Sequence, residues 1–74
     1  MLRSNIEAEL AAYTKELARV NLELARVKAF NFACSDPAVI RCYKAEIEYW
    51  EASKDLYEIR IERLKDKLEE FENE

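Results

Sequence analysis

The chain has 74 residues, enough for one small domain. Chains under roughly 70–80 residues rarely build a sufficient core alone and lean on disulfides, metals or oligomerisation. With no His and two Cys, neither a closed Cys₄ zinc site within one chain nor a disulfide scaffold can be formed, so association between copies is the expected source of stability.

The formal net charge is −4 with both signs interspersed, which suits solubility and does not point to a polyanionic partner. There is no Gly and one Pro, and 38% of residues are charged. Helix formers such as Ala, Leu, Glu, Lys and Arg dominate. Absence of Gly argues against tight hairpins between strands, which use it for positive φ. The opening MLRSNIEAEL lacks the apolar core of a signal peptide, and no run approaches the ~20 apolar residues of a membrane span. The expectation is a cytoplasmic protein with no membrane contact, in which Cys34 and Cys42 are free thiols.

Ser4 followed by Glu7 fits a capping box and places the start of a first helix near Asn5, with its end near Ala33. Within it, Glu9–Tyr13, Glu16–Val20 and Glu23–Val27 repeat one template, Glu-Leu-Ala-Ala/Arg-Tyr/Val. Such a seven-residue apolar repeat is a coiled-coil seam. The seam is Ile6, Leu10, Tyr13, Leu17, Val20, Leu24 and Val27, with Leu10, Leu17 and Leu24 at a positions and the others at d. Glu9, Glu16 and Glu23 form an acidic flank at g. A second stripe, mostly Ala, lies nearly opposite: Ala8, Ala11, Lys15, Ala18, Leu22, Ala25, Ala29 and Phe32. Ala is the best helix former whatever its surroundings. Leu22 and Phe32 in the same stripe point further, to close packing against another helix.

Ser35-Asp36-Pro37 is the break. A residue before Pro is pushed out of the helical region, and Pro suits the first helical position, so Asp36 reads as the N-cap of a second helix. A connection of only Cys34 to Asp36 makes the two helices antiparallel neighbours. Asn31, at an a position just before it, can end the first helix in the left-handed conformation. The second helix runs from Pro37 to about Glu72, about 54 Å at 1.5 Å per residue. Its seam is Ile40, Tyr43, Ile47, Trp50, Lys54, Tyr57, Ile61, Leu64, Leu68 and Phe71, unbroken through the length of the helix. A second stripe, Cys42, Ala45, Tyr49, Ala52, Leu56 and Ile59, stops at Arg63, beyond which the outer face is charged.

The expected fold is therefore all-α: an antiparallel two-helix hairpin, a helical coiled-coil hairpin, assembling into a homo-oligomeric helical bundle. The large seams extend furthest along both helices and are expected to meet inside the hairpin, with residue i near position 71 − i; that register sets Tyr13 against Tyr57 and Leu24 against Ile47. In a lone hairpin Leu22, Phe32, Tyr49, Leu56 and Ile59 would face water together, a patch too large to leave bare. Ala11, Ala18, Leu22, Ala25, Phe32, Tyr49, Ala52, Leu56 and Ile59 are the candidate oligomer or partner interface. A two-fold dimer forming a four-helix bundle is the first expectation, and a higher even-numbered oligomer is the alternative.

Lys54 is the one charge in the second seam, between Trp50 and Tyr57. Three roles fit it: a packed stem whose ammonium reaches a flanking carboxylate such as Glu16, a polar seam residue that sets register, or an anion contact in an aromatic-lined oligomer cavity. Cys34 and Cys42 flank the turn as small packed thiols, with a disulfide across the turn or between copies as the alternative. A chain with neither His nor Gly lacks the common general base, His-containing triads, phosphate loops and dinucleotide fingerprints. No enzymatic activity, cofactor or metal is expected.

Arg60, Arg63 and Lys67 make a short basic stripe, and Lys15, Arg19 and Arg26 another. The layout resembles the plasmid-encoded Rop type of RNA-binding helical dimer, in layout only, with no shared motif. That likeness implies an RNA-binding helical dimer as one alternative, which the overall acidity opposes. A second alternative is an oligomer that sequesters an anionic small molecule, such as a nucleotide, at subunit junctions. The leading expectation is a non-enzymatic protein–protein interaction module. It would act as an adaptor, or as an inhibitor occupying the surface of an unidentified protein partner. Size and simplicity are features shared by phage and mobile-element proteins, in which case the setting would be the host cytoplasm.

Overall fold

The computed structural model describes residues 3–72. They form two helices, α1 (Arg3–Ala33) and α2 (Pro37–Glu72), packed against each other as a helical hairpin. The hairpin is a rod of 57 × 14 × 14 Å. Its long dimension is close to the length of α2 alone, because a three-residue connection forces the second helix straight back along the first.

Asp36 caps α2. Its Oδ1 accepts from the Ala38 amide at 2.9 Å, and its carbonyl accepts the Ile40 amide at 2.9 Å, the first bond of the helix. Pro37 takes the first helical position, where a missing amide hydrogen costs nothing. At the other end of the turn the Cys34 amide donates to the Asn31 carbonyl at 3.3 Å, tightening the last turn of α1.

Two expectations about helix ends are corrected. Ser4 does not cap α1, which already includes Arg3. Glu7, the other half of the expected capping box, instead accepts from Arg3 Nε at 3.0 Å, an i,i+4 pair that favours extending the helix past Ser4. Asn31 does not end α1 in the left-handed region either. The helix continues to Ala33, and no described residue has a positive φ. Asn31 stays on the seam, and its side-chain Oδ1 is buried with no hydrogen-bond partner.

The core is the line where the two large seams meet. Ile6, Val20, Leu24 and Val27 of α1 and Ile61 and Leu64 of α2 are buried. Leu10, Tyr13 and Leu17 are half-buried, as are Ile40, Tyr43, Ile47, Trp50, Lys54, Tyr57 and Leu68. Phe71, the last seam residue of α2, is exposed at the open end of the rod. The heptad period explains the pattern: residues spaced four and three apart keep one stripe facing the partner helix along the full length.

Tyr13 and Tyr57 meet across the seam, ring centroids 5.8 Å apart. Near the turn Phe30 stacks on Tyr43, two residues further along α2 than position 71 − i, at 6.3 Å. At the open end Arg3 reaches Glu72, four residues further along, at 3.1 Å. Lys28 reaches Glu51, eight residues further along, at 3.3 Å, so these three contacts lie further along α2 than the expected register places them.

Candidate functional site

Every residue expected to form an oligomer or partner interface lies on the outside of the hairpin. Ala11, Ala18, Leu22, Ala25 and Phe32 of α1 are all exposed, as are Tyr49, Ala52, Leu56 and Ile59 of α2. Leu22 is 69% exposed, Phe32 93%, Tyr49 64%, Leu56 46% and Ile59 48%. All five face water in the hairpin. On a helix of 3.6 residues per turn each outer stripe sits about 150° from its own seam. With the seams facing each other, both stripes are turned away from the contact between the helices.

The two edges differ in chemistry. On α1 the stripe is chiefly Ala, with Leu22 and Phe32 as its large members and Lys15 as its one charge. Small side chains let another helix come close. On α2 the stripe carries Tyr49, Leu56 and Ile59 within three turns of helix. Tyr49 is held against the seam residue Trp50 by an edge-on ring contact, centroids 5.1 Å apart, so this edge is partly ordered by the core beneath it. Phe30 adds exposed apolar surface near the turn, with the Arg26 guanidinium 6.0 Å from its ring centroid.

The flanks between seam and edge are polar. Glu16 and Glu23, two of the three acidic flank residues, are bridged within α1 to Arg19 at 3.0 Å and Arg26 at 2.8 Å. Lys28 bridges to Glu51 across the helices at 3.3 Å, and Arg3 to Glu72. All four pairs involve largely exposed side chains, and such pairs contribute about 0–1 kcal/mol each.

Lys54 is half-buried on the seam, but its expected partner is taken: Glu16 is bridged to Arg19. Among the described residues Lys54 has no salt bridge. Its stem covers the seam, and the three roles weighed from the sequence reduce to stem packing with a solvated head, register, or an outside anion.

Two open grooves run along the flanks toward the free end of the hairpin. One, of about 430 Å³, is lined by Leu17, Glu58, Ile61, Glu62 and Lys65. The other, of about 250 Å³, is lined by Glu9, Tyr13, Arg60, Arg63, Leu64 and Lys67. In the second, the Arg60 guanidinium stands 5.6 Å from the centroid of the Tyr13 ring. Sequence reading identified Arg60, Arg63 and Lys67 as a basic stripe but not the groove they share with Tyr13, because that needs the register between the helices.

Cys34 is half-buried and Cys42 exposed, and both are free thiols. No group of three His, Cys, Asp or Glu among the described residues is placed to hold a metal ion. No helix among them is long and apolar enough to cross a membrane. Comparison with known protein families, curated proteins and solved structures finds no match for this chain.

Proposed function

We propose that the hairpin is a non-enzymatic protein–protein interaction module that works as a homo-oligomer in the cytoplasm. Copies associate through one outer edge, and the assembly occupies a surface on another protein as an adaptor or inhibitor. The observation that carries this is the exposure of Leu22, Phe32, Tyr49, Leu56 and Ile59 on two edges of a rod only 14 Å thick.

Full burial of one large apolar side chain contributes about 1.5–3 kcal/mol. Tyr49, Leu56 and Ile59 are each roughly half exposed or more, so each retains about 1–2 kcal/mol of unrealised burial. A two-fold contact uses each residue twice, giving about 6–12 kcal/mol before the cost of association, itself about 4–15 kcal/mol. The gain and the cost are of the same size, so how well the edge packs sets the affinity. The edges belong to different helices, and one two-fold contact covers one of them. The other is left for a second contact between copies, giving an even-numbered bundle, or for the outside partner.

The absence of His and Gly from the chain supports a non-enzymatic role. The test is the mass of the purified chain by light scattering across concentrations, followed by affinity capture from the cell of origin. A multiple of the 8.8 kDa chain together with one stoichiometric protein partner is the expected result. A monomer at all concentrations rejects the oligomer, and absence of any protein partner rejects the adaptor or inhibitor role.

A further inference from the structure

We propose that the groove between Tyr13 and the Arg60–Arg63–Lys67 face of α2 is a binding site for a compact, multiply charged phosphate ligand. It lies on a flank of the hairpin, where the outer apolar stripe of α2 stops, and does not rest on the oligomer reading.

The charges in the groove are unbalanced. Arg60, Arg63 and Lys67 lie three, four and seven residues apart, so they stack along one side of α2. Like charges at those spacings repel and weaken a helix. Four acids, Glu62, Asp66, Glu69 and Glu70, are within a turn of them, yet none of the three cations forms a salt bridge among the described residues. Eight of the twelve Lys and Arg form no salt bridge among the described residues, and three of those eight line this one groove. In a chain of net charge −4, a groove lined by three cations and one carboxylate is locally positive.

The groove also has a floor. Arg60 stands over the Tyr13 ring, a contact that holds the guanidinium in place and leaves its N–H edge free for an acceptor. Arg63 can offer a second planar fork and Lys67 a point charge, the combination that suits phosphate oxygens. Glu9 is the single carboxylate in the lining, opposite the cations. A cavity of about 250 Å³ takes a diphosphate or triphosphate group. Glu9, the acidic outer face beyond Arg63 and the net negative charge all disfavour a long nucleic-acid backbone, which would run past the groove on both sides.

The experiment is a titration of the full chain with pyrophosphate at low salt, followed by NMR of backbone and arginine side-chain N–H groups. Saturable shifts centred on Tyr13, Arg60, Arg63 and Lys67 are expected. Because charge-assisted hydrogen bonds are the strong ones, R63Q is expected to weaken binding about tenfold. E9Q, which removes the one repelling charge, should tighten it, and K15Q on the outer edge of α1 should leave it unchanged. Circular dichroism checks that each variant keeps its helicity; if R63Q does not, the E9Q gain still decides. Absence of saturable shifts, shifts spread evenly over Arg41, Lys44 and Lys65, or an E9Q variant that binds no better would overturn the site. So would a single-stranded RNA oligonucleotide that shifts these residues where pyrophosphate does not.

Discussion

Replacing both Leu56 and Ile59 by Glu should dissociate the protein without unfolding it. Both side chains lie on the outer edge of α2, 46% and 48% exposed, and neither belongs to the buried core of Ile6, Val20, Leu24, Val27, Ile61 and Leu64. Inside one hairpin the change trades partly solvated apolar groups for solvated carboxylates on a good helix former, a cost of about 2–3 kcal/mol from the covered halves of the two side chains. At a two-fold contact the same pair of substitutions acts on both copies. It removes about 4–8 kcal/mol of burial and faces like charges toward each other. Every 1.4 kcal/mol is a tenfold change in affinity, so the dissociation constant should rise by about three orders of magnitude or more. Light scattering should show the mass fall to one chain while the far-ultraviolet helix signal at low temperature stays near that of the parent. An unchanged mass refutes the α2 edge as the contact. A parent protein that is already monomeric refutes the premise that these edges are covered by copies.

Leu64→Ala, at a buried seam position, should cost about 2–5 kcal/mol and shift thermal unfolding strongly, whereas Leu22→Ala on the outer edge should shift it little beyond any loss of assembly. Urea melts at matched concentration separate the two, and equal effects would contradict the division into seam and edge. Asp36→Ala removes the side chain that accepts the Ala38 amide and should destabilise the hairpin by about 1 kcal/mol, read from the same melts; no loss would mean the turn is held by other contacts. Asn31→Leu replaces a seam side chain whose buried Oδ1 has no partner and should raise stability by about 1–2 kcal/mol. A loss of stability or a changed oligomer mass would show that Asn31 is kept for register instead.

The seam was legible because its signal is local. A 4–3 spacing marks the apolar stripes of each helix, the longer and bulkier stripe of each lies inside, and a two-residue cue, Asp36-Pro37, dictates where one helix stops and the next begins. The same local reasoning misplaced the start of α1, since Arg3 finds both Glu7 and Glu72, and the second of these lies at the far end of the chain. It offered Glu16 as one partner for the Lys54 ammonium, but Glu16 pairs with Arg19, because an i,i+3 pairing is always within reach and a cross-helix pairing depends on register.

The amino-acid sequence by itself determined that the chain folds as two helices joined by a three-residue turn, with one apolar seam on each inside the hairpin and one on each outside it. Periodicity and capping are properties of neighbours in the chain, so no tertiary information is needed to read them. Only the tertiary structure decided that the large seams, and not the outer stripes, meet inside the hairpin and that Tyr13 shares a groove with Arg60, Arg63 and Lys67. Both depend on the rotation and offset of one helix against the other. Those are set by how whole side chains interlock along the seam, a quantity that no single helix carries in its own pattern.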